Sequence, residues 1–318
     1  MFQLMFPFYV ICPLLLAGAS LATADEFTLG TARTAAEKGD PQAEYFLGKA
    51  YAQGIGVAQN YTNADQYYLS AAKQGYAPAQ NNLGVAYYLG LGVKTDDGAA
   101  AAWFRKSAEQ DYAVGQLNLG RCYLKGRGVS NDISQAVFWL KKAAAQNSSD
   151  ALLELGDIYY FGDVGLKINF KEAFKYYRLA ADLGRWECLN ALGLCYEHGF
   201  GTTRDFDLAQ KCYRTAIRKG DAKAMMNLGL MYESGEGVGK DLIEAYKWLT
   251  LAVNSGNLVA NHYLDELTER VITSPDQLTG NGATRSVLSA QQIEEANRRV
   301  EAYEKSLAND GSVAFPHP

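Results

Sequence analysis

The stretch Leu83-Gly84-Val85-Ala86-Tyr87-Tyr88-Leu89-Gly90-Leu91-Gly92-Val93 decides the fold, because its parts return along most of the chain. The Leu-Gly-x-x-Tyr phrase recurs at Leu47-Gly48, Leu119-Gly120, Leu155-Gly156, Leu192-Gly193 and Leu228-Gly229. Tyr51, Tyr123, Tyr159, Tyr196 and Tyr232 follow three residues after each glycine. The glycines step by 36 residues through 48, 84, 120 and 156, slip by one to 193, and resume at 229. At the slip the Gly-x-Gly turn reads Gly162-Asp163-Val164-Gly165, so one inserted residue accounts for it. A fixed period of this size means stacked supersecondary units, none able to bury its apolar face alone. Arrays of this kind bind partners along an extended surface and need no catalytic pocket.

Working outward, each unit reads as two helices around a glycine-marked reversal. The reversals are Gly54/Gly56, Gly90/Gly92, Gly126/Gly128, Gly199/Gly201 and Gly235/Gly237, where glycine gives positive φ without a steric cost. The second helix opens at an aligned column of Asn60, Asp96, Asp132, Asn169, Asp205 and Asp241. All six are side chains that accept from the unsatisfied first amides of a helix. Four residues on stands Ala64, Ala100, Ala136, Ala173, Ala209 or Ala245, which allows close helix approach. Tyr67, Trp103, Trp139, Tyr176 and Trp248, then Tyr68, Phe104, Leu140, Tyr177, Tyr213 and Leu249, complete one amphipathic stripe. Tyrosines in these columns are core side chains by periodicity, not a recognition surface. The second helices end at Gly75, Gly184, Gly220 and Gly256, or at Asp111 and Asn147, residue types that tolerate a left-handed cap.

These residues resemble the Sel-one-like repeat (SLR) family, a class similar to tetratricopeptide repeats. Gly84 to Gly92 with Val93, Asp96, Ala100 and Trp103 lies close to its consensus, as does Leu228 to Tyr232 with Gly235, Gly237, Val238, Asp241, Ala245 and Trp248. The resemblance covers about residues 30–306 and implies an all-α, right-handed α/α solenoid of six 36-residue helix-turn-helix repeats with capping helices. It further implies an adaptor or scaffold, although the fold alone fixes no ligand. The expected organisation is a signal peptide over 1–24, a capping helix over 25–39 and six repeats over 40–256. A partial seventh repeat over 257–273, a loop over 274–288, a capping helix over 289–307 and a mobile tail over 308–318 complete it. Its seventh first helix is expected to begin at Leu258.

The first 24 residues carry no charge, and Ala22-Thr23-Ala24 is a small-x-small site before Asp25, so cleavage after Ala24 is the expected processing. An uncleaved membrane anchor is the alternative, and no later segment is long and apolar enough to span a bilayer. The destination is the periplasm or the exterior; in a eukaryote, the lumen of the endoplasmic reticulum. Net charge is −5 with both signs interspersed, which disfavours nucleic acid and anionic lipid as partners. A monomer is expected.

Four cysteines follow the leader. Cys122 and Cys195 share a column with Ala50, Ala86, Ile158 and Met231 and read as small buried hydrophobes. Secreted relatives bridge adjacent helices with C-x7-C pairs. Cys188 sits in a suitable small column here, but the facing helix end is Ala180-Ala181, so that bridge is missing. Cys195 and Cys212 either bridge the helices of the fifth repeat or stay free.

Chemical candidates are few. Ser70-Ala71-Ala72-Lys73 matches S-x-x-K without the companion S-D-N and K-T-G motifs, so a wall-active β-lactam or peptidoglycan hydrolase is the minor reading. Cys195 and His198 lie one helical turn apart without an orienting Asn or Asp. The three histidines, His198, His262 and His317, form no ligand pattern, and no cofactor or metal is expected. The leading expectation is a non-catalytic interaction scaffold that takes a protein or peptide on its concave face. By analogy with tetratricopeptide arrays, that face comprises Tyr88, Leu117, Arg121, Leu124, Leu153, Asp157, Tyr160, Asn190 and Leu194.

Overall fold

The computed structural model describes residues 27–162, 165–268 and 288–309. The expected leader, the end of the partial seventh repeat (269–273), the loop apart from Leu288 and most of the tail lie outside these residues, as do Asp163 and Val164. The chain divides into two compact units, the first ending at Ala151 and the second beginning at Leu152. The first unit holds α1 (Leu29–Glu37), α2 (Pro41–Gln53), α3 (Tyr61–Lys73), α4 (Ala77–Leu89), α5 (Asp97–Glu109), α6 (Ala113–Lys125) and α7 (Ile133–Ala145). The division falls within α8 (Ser149–Phe161). The second unit continues with α9 (Phe170–Asp182), α10 (Leu189–His198), α11 (Phe206–Ile217), α12 (Ala222–Ser234), α13 (Leu242–Asn254), α14 (Ala260–Thr268) and α15 (Ala290–Asn309). Within each unit, consecutive helices pack against each other in pairs, and each pair packs on the next.

The local signals place these helices. Each of the six Asn or Asp side chains before a second helix accepts from a backbone amide two or three residues on, at 2.9–3.2 Å. That is the N-cap geometry the residue type favours. First helices end on glycines at φ near +70°, as at Gly90 and Gly126. Asp111 and Asn147, both at φ 62°, close second helices in the left-handed region without being glycine.

The Leu-Gly glycine sits where the two helices of a repeat cross. A β-carbon built at Gly48 falls 2.5 Å from Tyr68 Cε1, one at Gly84 falls 2.7 Å from Phe104, and one at Gly120 falls 2.9 Å from Leu140 Cγ. Gly156, Gly193 and Gly229 meet Tyr177, Tyr213 and Leu249 in the same way. The column that reads as core in the sequence therefore lies directly over the glycine column, and the six alanines one turn earlier are no more than 1% exposed. Mid-helix glycine costs about 1 kcal/mol relative to alanine, and the close crossing explains why it persists.

The C-terminal end departs from the repeat. The helix expected from Leu258 starts at Ala260, and Leu258 and Val259 project into solvent, 73% and 63% exposed. The turn is spent differently: Asn257 Nδ2 donates to Ala222 O at 3.3 Å, and Ala260 N bonds back to Asn257 O. In α15, Ser289 and Gln292 form a reciprocal capping box, with bonds of 2.9 and 3.3 Å. Ala296 and Val300 are buried, Tyr303 packs edge-on to Trp248, and Arg299 pairs with Glu244 at 2.7 Å. Burial works against the Glu244 carboxylate, but bonds from Lys247 and Arg299 hold it below its ordinary range.

Candidate interaction face

The first helices carry all nine residues expected on the binding face, and the structure treats them unequally. Leu117 and Leu153 are 5% and 7% exposed, so they belong to the core and are not open positions. Tyr88 is half-buried beneath the Arg127 guanidinium, 3.6 Å from the ring centroid. Arg127 is fixed there by a two-bond contact to Asp97, at 2.6 and 3.1 Å. Tyr160 occupies the matching place in the second unit, edge-on to Phe170 and Phe200, which stack on each other at 4.4 Å. Both tyrosines therefore serve to seat the turn of the following repeat. Arg121, Leu124 and Leu194 are half-exposed.

Asp157 and Asn190 are engaged, but on polar partners. The Tyr177 hydroxyl donates to Asp157 Oδ1 at 2.8 Å. Burial pushes the Asp157 carboxyl up to about 6, opposed by that bond. On the next repeat the Tyr213 hydroxyl donates to Glu197 Oε2 at 2.6 Å. Two of the rings that lie over crossing glycines thus also hold a carboxylate on the first-helix side. Asn227 Nδ2 donates to Asn190 Oδ1 at 2.8 Å, and in the first unit Asn118 Nδ2 donates to Asn81 Oδ1 at 2.9 Å. These amide pairs link first helices of successive repeats.

Sequence reading missed a buried polar column four residues before the repeat glycine. Glu44, Gln80 and Gln116 are 6%, 4% and 0% exposed. Gln74, Gln110 and Gln146 donate to them at 2.9, 2.7 and 2.9 Å, always 30 residues later. That constant offset was the available signal. In the second unit the same column is Leu152, Leu189 and Met225.

The chemical candidates find no activating geometry. Ser70 Oγ donates to Glu44 Oε1 at 2.6 Å, while Lys73 points to solvent. Cys195 is fully buried and burial lifts its thiol to about 12, the reverse of an activated nucleophile. His198 is exposed beside it. Cys122, Cys188, Cys195 and Cys212 are free thiols in the structure. Among the described residues no three metal-ligating side chains converge, and no helix is long and apolar enough to cross a membrane.

Stacked helix pairs with glycine crossings define an α-solenoid scaffold. Residues 41–76, 77–112, 113–148, 149–184, 186–221 and 222–257 each match the Sel1 repeat, and the chain belongs to that family. It is similar to a protective antigen of uropathogenic Escherichia coli strains displaying an SLR fold, at 31% identity and TM-score 0.71. That match covers 88% of this chain and 58% of the other, so the chain spans a little over half the relative's length. A Sel1 repeat protein from Oxalobacter formigenes is 32% identical with TM-score 0.59, over 68% of this chain and 86% of its own. No curated protein matches the chain. Sel1 repeat proteins generally serve as protein–protein interaction scaffolds.

Proposed function

We propose that this chain is a secreted or periplasmic adaptor that captures a protein or peptide partner on its first-helix face and performs no chemistry itself. The observation that carries the reading is the contrast within that face. Leu117 and Leu153 are buried, whereas Leu124 stays half-exposed beside Arg121 in the first unit and Leu194 does so in the second. An apolar side chain kept partly in water beside fixed polar groups suits a partner contact. The uncharged leader with its Ala22-Thr23-Ala24 site supports export and cleavage after Ala24. Bacterial relatives favour the periplasm over a eukaryotic lumen. In an oxidising compartment Cys195 and Cys212 would join α10 to α11; intact mass before and after reduction checks this.

The test compares capture from the native envelope by wild type and by a Leu124→Glu, Arg121→Glu variant. Both side chains are partly exposed, so the fold should survive, and circular dichroism confirms that it does. Loss of one or more specific partners by about tenfold or more is expected, the scale of one central contact. Identical capture by a folded variant would remove this face from the binding site.

A further inference from the structure

Each Gly-x-Gly turn rests on the first turn of the preceding second helix, and in the fifth repeat a side chain pins that contact. Gln210, on α11, donates its Nε2 to Gly237 O at 3.1 Å. The same offset of 145 residues takes Gln210 back to Asp65 on α3 and Gly237 back to Gly92. Asp65 is 7% exposed, and its Oδ2 is buried without a hydrogen-bond partner. It lies so close beneath Gly92 that a β-carbon there would collide with that oxygen, with Tyr61 C at 2.6 Å and Tyr61 O at 2.7 Å. An ionised carboxylate in this place brings only acceptors to a contact that its repeat equivalent makes with a donor. A neutral carboxyl supplies the missing donor.

We propose that Asp65 is an acid-set latch: protonated, it donates to the Gly92 carbonyl as Gln210 does to Gly237, and ionised it releases the turn of the second repeat from the second helix of the first. The step is a proton uptake alone, from solvent, with no other bond made or broken.

Burial lifts the Asp65 carboxyl from its ordinary 3.8 to about 7, and burial is the sole cause. Its titratable neighbour on α3 is Tyr68, whose own hydroxyl is raised first by burial and also by the Asp65 charge. On α2, Glu44 is taken by Ser70 and Gln74, Lys49 lies over the Tyr45 ring, and Tyr51 stacks on Tyr67. From the turn after α4, Lys94 points to solvent, and Asp96 caps α5. With the folded value raised above the unfolded one, the contribution to stability is present below about pH 4 and is lost as pH rises through about 7.

The experiment follows the Asp65 carboxyl by carbon NMR on the full chain, together with hydrogen exchange of the turn amides Leu91 and Asp96. These amides bond to Ala86 O and Tyr87 O. A titration midpoint near 7 is expected, with protection at Leu91 and Asp96 falling several-fold between pH 5.5 and 8 after correction for intrinsic exchange. Asp65→Gln, which restores a permanent donor, should abolish that fall. A midpoint below 5, or an unchanged pH dependence in Asp65→Gln, overturns the latch. If Asp65→Gln does not fold, the wild-type titration decides by itself.

Discussion

Gly120→Leu is expected to destabilise the protein by at least about 1–3 kcal/mol, the usual cost of forcing bulk into a packed contact. The obstruction is measurable: a β-carbon at Gly120 lies 2.9 Å from Leu140 Cγ and 3.3 Å from Ala136 O. Leu140 is fully buried and Ala136 O is backbone, so neither can move aside cheaply. Leucine's better helix propensity returns only about 0.8–1 kcal/mol. Gly98→Ala is the matched comparison. Gly98 lies near the start of α5, its nearest obstacle is Asp96 Oδ1 at 3.4 Å, and its φ is not positive. It should change stability by no more than about 0.5 kcal/mol, or stabilise slightly. Thermal and urea melts of both variants check this. Equal midpoints for Gly120→Leu and wild type would mean that the helices of a repeat do not cross at the glycine.

Gly128→Ala should cost about 2–5 kcal/mol, combining a left-handed backbone with an overpacked contact. Gly128 has φ +70°, and its β-carbon would fall onto the carbonyl of Asp97, at the start of the preceding second helix. Backbone cannot swing away as a side-chain tip can. Gly75→Ala isolates the conformational part, since Gly75 has φ +89° but open space around it, and about 1 kcal/mol is expected there. Denaturation curves for the two should differ by the contact. If both variants lose the same amount, the turn glycine is retained for its φ alone.

Much of the fold was legible because each signal is local. An Asn or Asp before a second helix caps it whatever lies beyond, and Asp111 and Asn147 take φ 62° as short polar side chains can. The binding face was harder to read because exposure there depends on the neighbouring repeat. Tyr88 is covered by Arg127 and Tyr160 by Phe200, both contributed by the next turn, and no count within one repeat reveals that. Leu117 and Leu153 were placed on that face by analogy with tetratricopeptide arrays, and here both pack inward. Glu44, Gln80 and Gln116 went unread for a related reason, since their partners lie 30 residues further on. Polar residues read as solvated until Gln74, Gln110 and Gln146 are found satisfying them.

The adaptor reading turns on which helices touch a partner, and site-specific photocrosslinking in the native host measures that directly. A photoreactive phenylalanine analogue is placed at Leu124 or Leu194 on first helices, and at Phe138 or Leu208, which are 48% and 38% exposed on second helices. Crosslinks to a discrete partner are expected from Leu124 or Leu194 and not from Phe138 or Leu208. A partner captured only through Phe138 or Leu208 would contradict the assignment and move recognition to the second-helix face.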